Sequence, residues 1–243
     1  VVNVTVTNPD SQFSTLVNGF TYFVPPLIDE ALAGAIAVVH AYNPGTGLVD
    51  LAGNVWTQVG AVPLIASQDL GFVSGVAAAG FGPFSTLNYF RLPLGSNVLD
   101  FAGNFLVTMI YKLNAGSSAT ILDNDGPATF HGYQITSASG GGNVNISFNV
   151  DNGGVGVSGG VAVPDGFVII SCGMNGASAL TKMNKNAGIT SAGRFVTTSG
   201  KPASLGISNS VSSPLLGTLI EICAWVVAPT QAMILSIHQS ITG

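Results

Sequence analysis

The stretch NVNISFNV at residues 143–150 alternates strictly, with Val144, Ile146, Phe148 and Val150 on one face and Asn143, Asn145, Ser147 and Asn149 on the other. A period of two is what extended backbone produces, whereas a helix would scatter these apolar residues around its circumference. The stretch therefore predicts a strand with one buried and one wet face. Similar short apolar runs, set apart by Gly, Asn, Pro and Ser clusters, predict strands at 36–41, 89–92, 105–111, 119–122, 132–136, 166–172 and 218–227. Gly140–Gly142 and Asp151–Gly154 supply hairpin turns. One short helix is expected over 231–238, with Thr230 as its N-cap after Pro229. The fold class is all-β, a sandwich or jelly roll.

Composition narrows what such a sandwich can do. Only 7% of the 243 residues are charged, against roughly 25% in an average chain, and the net charge is −5. Four Lys and two Arg make no basic stripe, so no nucleic-acid partner is expected. The longest apolar runs, 31–39 and 222–228, are too short to span a bilayer, so no membrane insertion is expected. A surface so poor in charge recognises partners by hydrogen bonds and apolar contact, which suits sugar binding or permanent assembly. Cys172 and Cys223 each sit in an apolar strand-like run, and sequence leaves their pairing open. The chain begins inside a strand pattern without an initiator Met, so it reads as a fragment or processed product.

Two resemblances follow from ordered motifs. Val4-Thr-Val-Thr-Asn-Pro-Asp10 and Asn18-Gly-Phe-Thr-Tyr22 resemble the last two strands of an IPT/TIG immunoglobulin-like domain, which implies that residues 1–24 end such a domain and 25–30 form a linker. From about residue 31 to 243 the chain resembles a laminin-G-like, concanavalin A-like jelly roll. The motifs are Asp50-Leu-Ala-Gly-Asn54, Gly82 to Pro93, Leu99-Asp-Phe-Ala-Gly-Asn-Phe105, Pro164-Asp-Gly-Phe167 and the closing stretch from Gly217 through Glu221 into the helix. The usual His pair after Pro-Asp-Gly is Val168 and Ile169 here, and the Asp before Glu221 is Ile220.

Glu221 poses the sharpest chemical question, because it stands in an apolar run and only Glu30 shares its residue type. Glycosidases need two carboxylates flanking the scissile bond. The resemblance would place partners for Glu221 at 223 and 226, or at 216 and 218, where Cys223, Val226, Leu216 and Thr218 stand. No catalytic residue is named, and Glu221 is expected to satisfy its charge on backbone N–H groups or on a lone Arg. His40, His131 and His238 have no neighbouring Cys, Asp or Glu at metal spacing. Asp123 and Asp125 of Asp123-Asn-Asp-Gly126 are the candidates for Ca²⁺, which the resemblance allows at a sandwich rim; a plain turn competes with that reading. No other cofactor is expected. Trp56, Tyr42, Tyr89 and Tyr133 are the aromatic candidates for stacking on a sugar.

The expected protein is thus a non-catalytic module, with a bacteriophage virion role (decoration, tail or fibre) as the first reading. It would contact neighbouring subunits or cell-surface glycans from the virion surface. A carbohydrate-binding module of a secreted bacterial enzyme or adhesin, secreted or at the cell surface, is the alternative, and a glycoside hydrolase or lyase depending on Glu221 stands third.

Overall fold

The computed structural model describes residues 2–7, 13–20, 26–42, 49–70, 77–114, 118–124, 131–140, 143–151, 157–162, 167–184 and 187–243. In chain order the strands are β1 (Val2–Thr7), β2 (Phe13–Phe20), β3 (Val39–Tyr42), β4 (Thr57–Val59), β5 (Leu64–Asp69), β6 (Ala77–Phe81), β7 (Tyr89–Arg91), β8 (Phe105–Leu113) and β9 (Ser118–Asp123). They continue as β10 (Tyr133–Gly140), β11 (Asn143–Val150), β12 (Val157–Ala162), β13 (Val168–Asn175), β14 (Ser178–Met183), β15 (Ile189–Ala192), β16 (Ser204–Leu205) and β17 (Gly217–Trp225). A 3-10 turn at Glu30–Ala33 and one α-helix, α1 (Gln231–Thr242), complete the elements.

β1 and β2 pair as an antiparallel hairpin, as expected. The rest forms two antiparallel sheets, one ordered β12-β11-β10-β9-β16-β7-β4 and the other β15-β14-β13-β8-β17-β6-β5, with β3 also paired to β17. Alternation in β11 holds as read from sequence: Val144, Ile146, Phe148 and Val150 are buried while Asn145 is exposed. These side chains meet Val107, Met109 and Tyr111 of β8 and Ile170 and Cys172 of β13 in the core between the sheets.

A second apolar layer lies on the outer face of the β8–β17 sheet. Leu106, Ile110, Cys223 and Trp225 project there against Ile234, Ile237 and Ile241 of α1 and against Ile28, Ala33 and Ala37. Within the stretch expected as a linker, Ile28 is buried in that layer and the indole N–H of Trp225 donates to the Glu30 carbonyl at 3.2 Å. Cys172 and Cys223 are both free and buried. They belong to the inner and outer layers respectively, on opposite faces of one sheet, where the geometry of a disulfide cannot be met.

α1 runs four residues beyond its expected end, and Thr230 caps it by accepting the Met233 N–H at 3.1 Å. The Asp50–Asn54 turn closes on itself: Asp50 Oδ1 accepts the Asn54 N–H at 2.9 Å, and Gly53 supplies a φ of 89° that disfavours any side chain. No helix among the described residues is long and apolar enough to cross a membrane.

Candidate functional site

Glu221 sits on β17 where the strand carries a bulge between Leu219 and Glu221. The extra residue, Ile220, shifts the alternation so that Glu221 and Cys223 share the outer face. On the facing strand β3, Tyr42 lies opposite Glu221 and His40 opposite Cys223. Residues directly opposite on one face bring their side chains within contact, so two strands far apart in the chain assemble four polar groups.

Glu221 is 1% exposed, and its charge is met on both oxygens. Oε2 accepts the Leu27 N–H at 2.8 Å, while Oε1 accepts the Ile28 N–H at 3.0 Å and lies 2.7 Å from His40 Nε2. The expected backbone donors are present, and a histidine stands where a lone Arg was the other option. His40 Nδ1 in turn lies 3.3 Å from Glu30 Oε2. Burial opposes the charged form of His40, but hydrogen bonding and charge from Glu221, then from Glu30, outweigh it and raise the pKa above the ordinary 6.5. No Cys, Asp or Glu stands near a histidine in sequence at metal spacing, yet the fold brings two carboxylates to His40. Sequence separation concealed the pairing, since His40 and Glu221 are 181 positions apart.

A Ser–His pair occurs on the same outer face. Ser171 Oγ is 2.9 Å from His238 Nε2, Thr108 Oγ1 is 2.7 Å from Ser171, and His238 Nδ1 is 3.1 Å from the Asn184 carbonyl. Ser171 is fully buried and a carbonyl fills the orienting position, so no substrate reaches a hydroxyl activated as in a triad. The chain of hydrogen bonds clamps α1 onto β13 with a neutral imidazole donating from Nδ1. Burial, with the nearby Lys182 charge from β14, pushes the His238 pKa down to about 4 against the weaker opposing effect of the Asn184 carbonyl.

A pH dependence follows. The unfolded chain protonates this imidazole below about 6.5 and the folded chain does not until about pH 4, so stability falls as pH drops across that interval, by about 3 kcal/mol in total. His40 acts in the opposite sense: its contribution is full below 6.5 and declines as pH rises through its raised value. Urea unfolding from pH 7 to 4 should show a shallower loss in His238→Gln than in the wild type; parallel curves would contradict the clamp.

The aromatic candidates separate clearly. Trp56 is 2% exposed with its indole N–H donated to Asp50 Oδ2 at 3.1 Å, and Tyr133 is packed among Phe101, Phe105 and Phe148. Tyr89 is also buried, with the Arg91 guanidinium 5.4 Å above its ring. These three are corrected from surface candidates to core, because large rings gain more from burial than a loop tip offers. Tyr42 alone of the four keeps partial exposure, beside His40 at 6.1 Å between ring centroids. The calcium candidate Asp123 is buried, its Oδ2 accepting from Gln134 Nε2 at 3.0 Å and from the Asn209 N–H at 2.7 Å, so it turns into the protein rather than toward a rim ion. Asp125 lies outside the described residues.

Sequence reasoning missed a loop at the sandwich edge, residues 194–201, because it weighed only Trp and Tyr. Phe195 there is 50% exposed. Thr197 donates its N–H to Asp151 Oδ2 at 2.9 Å and its Oγ1 lies 2.8 Å from Nδ1 of the exposed His131. Ser199 and Gly200 donate to Asp100 at 2.6 and 3.0 Å, and Ser199 Oγ is 3.1 Å from Asn124 Oδ1. Asp151 Oδ1 is buried without a hydrogen-bond partner. An exposed ring thus shares a loop with a held array of donors and acceptors, one carboxylate oxygen of which is unsatisfied.

No protein-family model matches the chain, and no curated protein matches it in sequence. Solved structures do. Domain 4 of AbnA, a GH43 extracellular arabinanase from Geobacillus stearothermophilus solved with arabinotriose, aligns with a TM-score of 0.58 and 17% identity over 84% of this chain and 99% of that domain. The binding domain of botulinum neurotoxin serotype D aligns at 0.58 and 14% over 86% of this chain, and that of neurotoxin DC in complex with SialylT at 0.56 and 11% over 84%. This chain spans about half the length of each neurotoxin domain. The shared feature is the fold, a jelly-roll-type β-sandwich.

Proposed function

We propose that the protein is a non-catalytic glycan-binding module that engages an oligosaccharide through the loop at 194–201. The carrying observation is Phe195, half exposed on the same loop as Thr197, Ser199 and Gly200, with the exposed His131 held against Thr197. A sugar presents an apolar ring face and a rim of hydroxyls; the loop offers the open Phe195 ring and, beside it, the exposed His131 imidazole, while the bonds of Thr197, Ser199 and Gly200 to Asp151 and Asp100 hold the loop in shape. The scarcity of charge fits a neutral or weakly acidic glycan. The arabinotriose complex of the arabinanase domain and the SialylT complex of the neurotoxin domain support the reading by fold. Absence of catalysis is supported by Glu221, whose oxygens are buried and committed to Leu27, Ile28 and His40. The relatives lend the virion setting no support, and the proposal concerns the module itself, on a virion or in a secreted or cell-surface protein.

A glycan array tests it. Wild-type protein should give saturable signals for a related set of oligosaccharides, and Phe195→Ala should weaken them by about tenfold or more, the loss of about 1.4 kcal/mol of stacking. Phe195 is exposed, so the variant should keep its melting temperature. Binding unaffected by Phe195→Ala would place the site elsewhere and overturn the assignment.

A further inference from the structure

Beyond glycan binding, the outer face of β17 carries a second set of convergent groups. One ligating atom each from Glu30, His40 and Cys223 lies within 4.8 Å of the others. Carboxylate, imidazole and thiol together form a donor set that suits zinc and its transition-metal neighbours, whereas Ca²⁺ and Mg²⁺ take oxygen alone.

Three further features make this more than a chance cluster. The pairing of His40 opposite Cys223 is fixed by the β3–β17 register, so two of the ligands are mounted on a sheet rather than on mobile loops. His40 Nε2 is 2.7 Å from Glu221 Oε1, and Glu221 is itself pinned by the Leu27 and Ile28 N–H groups. That is the carboxylate–histidine arrangement that orients a metal-binding imidazole, and it leaves Nδ1 as the outward nitrogen. Finally, Nδ1 stands 3.3 Å from Glu30 Oε2. The edge of a tetrahedron with bonds of about 2.0–2.1 Å is close to that separation, so an ion can take the place of the shared proton with little movement of either group.

We propose that Glu30, His40 through Nδ1, and Cys223 bind one divalent transition-metal ion of the zinc class, with Glu221 as the residue that positions His40. Half of the Glu30 side chain is exposed, so the ion reaches the cluster from the solvent side and water takes the remaining position. Cys223 is buried and its thiol is held protonated by that burial and by the charges of Glu221 and Glu30. Binding forms metal–sulfur and metal–nitrogen bonds; the thiol proton, and the Nδ1 proton where His40 carries one, leave to solvent, with no change in oxidation state. The site ties Glu30 to the centre of the sheet, so metal stabilises the packing of residues 27–33 over β17.

Titration of metal-stripped protein with Co²⁺ and Zn²⁺ tests the proposal. Co²⁺ should give a thiolate-to-metal charge-transfer band, displaced by one equivalent of Zn²⁺, and Zn²⁺ should raise the melting temperature. Cys223→Ala should abolish the band. Glu30→Gln should weaken Zn²⁺ binding by at least about tenfold and shrink the Zn²⁺-induced rise in melting temperature, measured against the variant's own metal-free value. No charge-transfer band in the wild type, a band that survives Cys223→Ala, or equal affinity in Glu30→Gln would each overturn the site.

Discussion

Glu221→Ala is expected to be the most destabilising single change in the outer layer, costing about 3–5 kcal/mol in urea unfolding and about 10 °C in melting temperature. The substitution strands three groups at once. The Leu27 and Ile28 N–H groups lose their acceptor inside the protein, and His40 loses the partner 2.7 Å from its Nε2. An unsatisfied buried donor costs about 1–3 kcal/mol, so the total does not depend on any single bond. Glu221→Gln should cost less, because one amide oxygen still accepts, but the amide nitrogen then opposes a donor. The double variant Glu221→Leu, His40→Leu should recover part of the loss by removing both ionisable groups, yet remain below wild type because the two N–H groups are still orphaned. If Glu221→Gln has wild-type stability, the carboxylate does not hold Leu27, Ile28 and His40 together.

Phe105→Ala should have a comparable effect in the inner core, about 3–5 kcal/mol. Phe105 is fully buried at the start of β8, stacked on Phe101 at 4.6 Å, tilted against Tyr133 at 4.7 Å and edge-on to Phe148 at 6.0 Å between centroids. Its ring therefore joins β8 to β10 and β11 of the opposite sheet, and truncation leaves a cavity between two layers rather than at an edge. Differential scanning calorimetry should show one transition, lowered by roughly 10 °C. A shift of only a degree or two would mean that the sheets close over the missing ring. Phe105 lies far along the chain from residues 194–201, so glycan binding measured well below the transition should be retained.

The two results bear on how much of this molecule can be read from its residues. Strand β11 was readable because one face is core and the other is solvent, so period two survives in the letters. The helix start was readable because Thr230 and Pro229 are local signals. The acceptor role of Glu221 was readable in kind, since a buried carboxylate must find donors. Its partner was not: the pairing of β3 with β17 is a tertiary fact, and neither His40 nor Cys223 signals which residue stands opposite. The same limit hid the metal-type donor set and left the cysteine pairing open, because which face of a sheet a residue occupies depends on bulges such as the one at Ile220. Pro25-Pro26 reads as a domain boundary, while Leu27 and Ile28 are too short an apolar pair to announce that they cover the sheet. Trp56 and Tyr133 could not be assigned to core or surface from type alone, since both are large, apolar and carry one polar tip.

Isothermal calorimetry of the intact protein against the strongest array ligand, with the same solution analysed by chromatography for cleaved sugar, tests binding without catalysis in one sample. The geometry predicts saturable binding to one site, no hydrolysis products, and loss of the heat signal in Phe195→Ala. Release of shorter oligosaccharides, or no heat with any array ligand, would contradict it.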